Sequence, residues 1–173
     1  MRHFAVALLI ALFVSVPALA ETVKSLGTFG GWQAYIYREK LQDVCFMELT
    51  PLKTFMKNGK KTADPRGEIS LTVSYRPTEK QTPILTFNSG YVFKKSSETK
   101  VTIGKACFNL FTDKGSAWAR TSSLDKEIVE AMEKGKTLIV EGYSDKGGHS
   151  VDLFDLRGMV KGMKAIKEAC GLH

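Results

Sequence analysis

The chain has 173 residues, with Lys+Arg 25 against Asp+Glu 18 and a formal charge of +7. Hydrophobic residues make up 43% and charged residues 25%, a globular balance that excludes a disordered tail, a collagen-like repeat and a polytopic membrane protein. Three cysteines are too few for a disulfide-dense miniprotein and too scattered for a zinc ribbon.

Arg2 and His3 give a short positive start, and Phe4 to Val16 is an apolar run. Pro17 breaks it, and Ala18-Leu19-Ala20 offers a small-x-small cleavage site. This pattern predicts a secretory signal over residues 1–20, cut before Glu21. The apolar run is well short of the about 20 residues that cross roughly 30 Å of hydrocarbon, and no later stretch reaches that length. Residues 21–173 are expected to form one domain, with no transmembrane segment after cleavage and a periplasmic or secreted location. Thiols pair in an oxidising compartment, so Cys45, Cys107 and Cys170 predict one disulfide and one leftover. Cysteine count alone leaves the pairing open.

The hydrophobic period along the first two thirds of the domain is mostly two, the signal of half-buried strands. Phe29 to Tyr37 alternates, with Trp32, Ala34 and Ile36 on one face and Tyr35 and Tyr37 on the other. Val44 to Leu49 is a second strand. Residues 50–67 are polar and rich in turn formers, which predicts a long exposed loop. Glu68 to Arg76 alternates with Ile69, Leu71, Val73 and Tyr75 on one face, and Pro77 ends it. Pro83–Asn88, Tyr91–Lys94, Lys100–Ile103, Ala106–Phe111 and Ser116–Ala119 are further short strands.

The period then lengthens to that of a helix. Ser122 with Asp125 three residues on resembles a capping box. Leu124, Ile128 and Met132 form a stripe, Asp125, Glu127, Glu130 and Glu133 are expected in solvent, and Gly135 closes the helix. Lys136 to Tyr143 and His149 to Leu156 read as a hairpin around residues 144–148. Gly158 to Ala169 reads as a second helix, with Met159, Met163, Ile166 and Cys170 on one face. Strands that do not alternate with helices argue against a parallel α/β sheet. The expected fold is mainly β, an antiparallel sandwich or partly open barrel with two short helices.

A set of short motifs follows in a fixed order. Leu26-Gly27-Thr28-Phe29-Gly30-Gly31-Trp32-Gln33-Ala34-Tyr35 opens the domain, and Val44-Cys45-Phe46-Met47 follows. Arg66-Gly67-Glu68, Arg76-Pro77, Phe111-Thr112-Asp113 and Ala117-Trp118-Ala119-Arg120 come next. Gly135-Lys136-Thr137 starts the late hairpin, and the tail carries Asp152 to Gly158 and Ala165 to Gly171. Together these resemble the invasion associated locus B family of exported alphaproteobacterial proteins. The chain departs from that pattern at Gly31, at the Gly148-His149-Ser150-Val151-Asp152 stretch and at Cys107. The resemblance implies a role in host-cell entry or at the envelope, no general catalytic activity, and a disulfide between Cys45 and Cys170. The residue pattern agrees with that pairing: Cys45 shares a strand face with Met47 and Leu49, and Cys170 lies on the apolar stripe of the last helix. Pairings through Cys107 remain open, and an unpaired Cys107 is expected to be a small buried apolar residue.

Candidate chemistry is sparse. A hydrolase built on His149 with Ser150 and Asp152 is the enzymatic alternative, but no Gly-x-Ser-x-Gly elbow is present and a solvated hairpin histidine is the plainer reading. The histidines are isolated, so no metal or cofactor is expected. Lysines number 19 against 6 arginines, favouring solvated point charges over planar bidentate recognition. Lys57, Lys60 and Lys61 cluster in one loop, and Lys94 and Lys95 are adjacent. These predict attraction to an anionic envelope or host-cell surface component, such as lipopolysaccharide, phospholipid headgroups or an acidic glycan. A protein partner is the other candidate; nucleic acid is not expected. The expected function is therefore a non-enzymatic, exported binding or envelope-associated protein. The alternatives are the His149 hydrolase and a structural or stress factor without a tight ligand.

Overall fold

A computed structural model of the chain describes residues 22–57, 59, 66–77 and 80–172. The expected signal segment, Lys60 and Lys61 lie outside the described residues. The strands in chain order are β1 (Lys24–Phe29), β2 (Trp32–Glu39), β3 (Gln42–Leu49), β4 (Lys53–Met56), β5 (Ser70–Arg76) and β6 (Lys80–Asn88). Then come β7 (Glu98–Ile103), β8 (Ala106–Asp113), β9 (Ser116–Trp118), helix α1 (Ser122–Lys134), β10 (Thr137–Tyr143), β11 (His149–Asp155) and helix α2 (Met159–Ala169).

The strands form one antiparallel sheet in the order β1-β2-β3-β5-β6-β9-β8-β7-β10-β11-β4. It does not close into a barrel, so β1 and β4 are its edges. Period-two patterning gives the sheet one apolar face. Trp32, Ala34, Met47, Leu71, Val73, Leu85, Phe87, Leu138, Val140 and Phe154 are all fully buried on that inner side. The sheet folds back on itself at β9, a three-residue strand that bridges β6 and β8. Phe87 of β6 thus meets Phe154 of β11 edge-on at 6.2 Å, although four strands lie between them in the sheet. The two arms pack inner face to inner face, as the sandwich expectation requires. Helix α2 covers β1, β2 and β3, while α1 covers β6 and touches α2.

Two glycines let the ends of this arrangement meet. Gly30 (φ +64°) in the β1–β2 turn and Gly158 (φ +92°) before α2 hold left-handed backbone that disfavours other residues. A Cβ on Gly158 would lie 2.0 Å from the Phe29 carbonyl oxygen, and one on Gly30 would lie 2.2 Å from that of Arg157. Backbone packs on backbone there, which fixes the entry of α2.

The structure corrects four local expectations. Residues 50–67 are not all loop: β4 pairs with β11 from Leu153↔Lys53 to Ser150↔Met56. Four residues of mixed polarity are too short to show a period, so the free edge of β11 decides their structure. Tyr91–Lys94 is not a strand. It is irregular backbone with a single bridge, Phe93↔Ser144, because its backbone bonds go to two separate elements and no ladder forms: the Phe93 N–H bonds the Lys114 carbonyl and the Lys94 N–H bonds the Tyr143 carbonyl. The α1 cap is Thr121, whose hydroxyl accepts from the Leu124 N–H at 3.2 Å, and not Ser122. Asp125 is buried and accepts from the Leu85 N–H at 2.8 Å. The reason is that β9 stops opposite Thr86, one residue short of Leu85. Burial raises the Asp125 carboxyl pKa, and the Leu85 hydrogen bond opposes that shift.

Cys45 and Cys170 are joined by a disulfide that ties the end of α2 to β3 across 125 residues of sequence. Cys107 is free and exposed on β8, not buried. It falls on the outward parity of its strand, opposite Thr102. Replacing Cys45 and Cys170 together by Ala is expected to lower the unfolding free energy by about 4 kcal/mol through lost chain constraint. Cys107→Ser is expected to stay within about 0.5 kcal/mol, as an exposed site should. Urea midpoints of the two variants against the parent check both.

Candidate functional site

Strand β11 carries different chemistry on its two faces. Alternation sends His149, Val151 and Leu153 outward and Ser150, Asp152 and Phe154 inward, and the last three are fully buried. Cross-strand register then sets out the outer face. One row runs Phe55, Val151, Glu141, Lys100, and the next runs Lys53, Leu153, Ile139, Thr102, Cys107.

At the hairpin end of this face four side chains converge, from β10, β11 and the residue that follows β4. Lys57 Nζ donates to Glu141 Oε2 at 2.5 Å, and His149 Nε2 lies 3.3 Å from the same oxygen. The Tyr143 ring stacks on the His149 ring with centroids 4.3 Å apart. His149 is therefore not a solvated hairpin residue; its side chain is 14% exposed. The hydrogen bond from Lys57 is the main cause that holds the Glu141 carboxyl below its ordinary pKa, against a smaller desolvation effect. Tyr143 and Phe55 nonetheless keep 45% and 50% of their surface in solvent. The irregular segment after β6 joins this end: the Lys94 N–H bonds the Tyr143 carbonyl at 2.8 Å, and Lys94, Lys95 and Val92 are exposed. Lys57 and Lys94 thus flank one patch, and Lys57 is partly neutralised within it.

The inner face holds a buried ion pair that sequence reasoning missed. Arg66 grips Asp152 through two parallel bonds of 2.8 and 2.7 Å, and its Nε donates to the Ser89 carbonyl at 2.7 Å. The Asp152 side chain is 0% exposed and that of Arg66 13%. The guanidinium also sits 4.9 Å over the Tyr91 ring. Tyr91 Oη and Ser150 Oγ are 2.8 Å apart, and burial pushes the Tyr91 phenol up to about 12. Arg66 lies in a polar stretch with no hydrophobic period, and its partner is 86 residues away, so no local signal marks it. Its only trace in the sequence is the Arg66-Gly67-Glu68 motif.

This geometry separates the residues of the hydrolase alternative. Ser150 and Asp152 point into the core while His149 points out of the sheet, because successive side chains of a strand face opposite ways. Ser150 Oγ lies against Tyr91 and Asp152 against Arg66, so the three do not form a triad. Among the described residues no three metal-ligating side chains converge. The aromatics divide as well: Trp32 is core, and Trp118 is half-buried against Phe111. Tyr35 and Tyr37 flank Phe46 on the outer side of β2 and β3, half-buried in each other.

Two outcomes follow from the two faces. Arg66→Gln leaves a buried carboxylate without its cation and is expected to cost about 3–5 kcal/mol. The Arg66→Met/Asp152→Leu double variant should cost clearly less, which a urea-unfolding cycle resolves. Glu141 titrates in the fold below its ordinary value of 4.5, so its ionised form stabilises the protein at neutral pH. That contribution is lost as pH falls from about 4.5 through the lower folded value. Lys57→Gln should therefore flatten the acid limb of stability against pH, measured by thermal midpoints from about pH 6 to about pH 3.

Comparison with known proteins bears on the whole domain. The crystal structure of invasion associated protein b from Bartonella henselae superposes with a TM-score of 0.56 at 15% identity. The match covers 86% of this chain and 97% of that one, and at this identity it speaks for the fold alone. No curated protein sequence matches the chain. The family profile of the invasion associated locus B (IalB) protein matches residues 35–167, which span β2 through most of α2 and include both faces of β11. The chain therefore belongs to the invasion associated locus B family.

Proposed function

We propose that this chain is an exported, non-enzymatic binding protein whose lysine-rich surface engages an anionic component of the bacterial envelope or the host-cell surface. The reading rests first on one observation: the outer face of β10, β11 and β4 sets half-exposed Phe55 and Tyr143 among Lys53, Lys57 and His149, with Lys94 alongside. Exposed aromatic surface ringed by flexible cations suits adhesion to a charged, partly apolar surface better than it suits catalysis. The excess of lysine over arginine favours long-range attraction over a geometrically exact pocket. Membership of a family named for invasion agrees with a surface role.

Export follows from the signal pattern of residues 1–20, and the Cys45–Cys170 disulfide agrees with an oxidising destination. No helix among the described residues is long and apolar enough to cross a membrane. A protein of this kind reaches a membrane by contact, and Lys60 and Lys61 extend the basic segment that begins at Lys57.

The protein starting at Glu21, prepared under oxidising conditions, is expected to bind envelope and host-cell membrane fractions saturably. Raising the salt should weaken that binding, because exposed charges are screened beyond roughly 8–10 Å. Lys57→Gln/Lys60→Gln/Lys61→Gln should weaken it further at low salt. No binding to either fraction, or binding indifferent to salt, would contradict the proposal.

A further inference from the structure

We infer that the chain holds a second basic contact site, at the end of the sheet opposite the Lys57 patch, and that its target is the phosphate layer of an anionic phospholipid bilayer. This rests on the anionic-surface reading above and narrows it to one chemistry and one place.

Three elements end together there. The β7–β8 turn brings Lys105, the last turn of α1 brings Lys134, and the entry to β10 brings Lys136. These three lysines line an open concavity of about 490 Å³ that no carboxylate lines. Gly135 makes the convergence possible. A Cβ there would lie 2.6 Å from Ile103 Cγ2 and 3.1 Å from the Ala131 carbonyl oxygen. Gly135 also lines an adjoining concavity of about 450 Å³, bordered by Arg157, Val160, Lys161 and a single carboxylate, Glu133. The two hollows share Gly135 as a common wall, and together they are the basic groove meant below.

All five cations of the groove are exposed. Arg157 is paired with Asp155 at 2.5 Å. Lys105, Lys134, Lys136 and Lys161 make no ion pair among the described residues, whereas Lys57, Lys126 and Lys164 each have a carboxylate within 4.0 Å. Unneutralised ammonium groups gathered around a concave, low-dielectric wall focus a positive field, and an anion relieves their mutual repulsion. A lysine ammonium is a compact point charge that suits a phosphate oxygen without demanding a planar partner.

Apolar neighbours select a membrane over a soluble phosphate. Val160 is largely exposed in the mouth of the groove beside Lys161. Leu52, also largely exposed, lies at the same end of the sheet, with its N–H bonded to the Leu153 carbonyl at 2.7 Å. Cations that border exposed aliphatic side chains match a headgroup layer lying over an acyl boundary.

The test is co-sedimentation of the oxidised protein from Glu21 with phosphatidylcholine vesicles, with and without phosphatidylglycerol. The parent should bind only the vesicles that contain phosphatidylglycerol. Each basic residue held at an anionic membrane is worth about fivefold in affinity, so Lys105→Gln/Lys134→Gln/Lys136→Gln should lose about 100-fold. Lys105→Arg/Lys134→Arg/Lys136→Arg should bind like the parent, and circular dichroism should show all variants folded. Lys24→Gln/Lys40→Gln/Lys126→Gln removes equal charge from exposed positions outside both basic regions and should lose much less. Equal losses in the two Gln triples would overturn the groove and leave the general anionic-surface reading standing. Binding to a sulfated polysaccharide but not to phosphatidylglycerol vesicles would overturn the lipid target. Failure of the parent to bind any anionic surface would overturn both readings together.

Discussion

Asp152 sits with no solvent contact in the interior of a mainly β protein, and the rest of the architecture depends on how that charge is met. An isolated carboxylate there would be too costly to keep ionised. Arg66 answers it with two parallel hydrogen bonds, and Ser89 and Tyr91 hold the guanidinium from its other sides. This pair joins the segment before β5 to β11, strands that lie at distant positions in the sheet order. It therefore pins the two arms of the folded sheet against each other at the point where Phe87 meets Phe154. A buried ion pair is a weak source of net stability, and its value here is in specifying which arm lies where.

Fixing β11 in that register has a consequence on its other side. With Asp152 and Ser150 committed inward, His149, Val151 and Leu153 must face outward, and β4 completes the sheet beside them. The Lys57–Glu141–His149 cluster and the exposed Phe55 and Tyr143 then share one surface. The disulfide plays the matching part at the other arm, holding α2 over β1 to β3. With both arms fixed, the lysines of the Gly135 groove and those of the hairpin end lie at opposite ends of the sheet. A protein with basic surface at two ends can meet an extended anionic layer along its length or bridge two such layers.

Much of the fold was legible because burial leaves a period. The strands around Trp32, Leu71, Phe87 and Leu138 alternate, and the stripes Leu124–Ile128–Met132 and Met159–Met163–Ile166 repeat at helical spacing. The family motifs carried the Cys45–Cys170 pairing that counting could not settle. What stayed hidden depended on tertiary partners. β4 exists because β11 offers a free edge, and Asp125 is inside because β9 ends one residue early. Cys107 is outside because it shares parity with exposed Asn109, a fact that its own hydrophobicity does not reveal. The pairing of Arg66 with Asp152 leaves no periodic trace, and the adjacency of His149, Ser150 and Asp152 in sequence suggests a triad that strand geometry takes apart. Of the basic surface, the Lys57 loop was visible as a charge run, whereas Lys105, Lys134 and Lys136 are separated in sequence and meet only in the fold.

The account stands or falls on whether anionic surfaces are met by these two lysine-bearing regions. The most direct measurement is residue-resolved NMR of the isotope-labelled, oxidised protein during titration with bicelles that contain an anionic phospholipid. Amide shifts and line broadening should gather at residues 53–57, 94–95 and 143–149 and at residues 104–106, 134–137 and 160–161, and should fade as salt is raised. Perturbations confined to the outer face around Tyr35, Tyr37 and Phe46, or no perturbation at all at low salt, would contradict it.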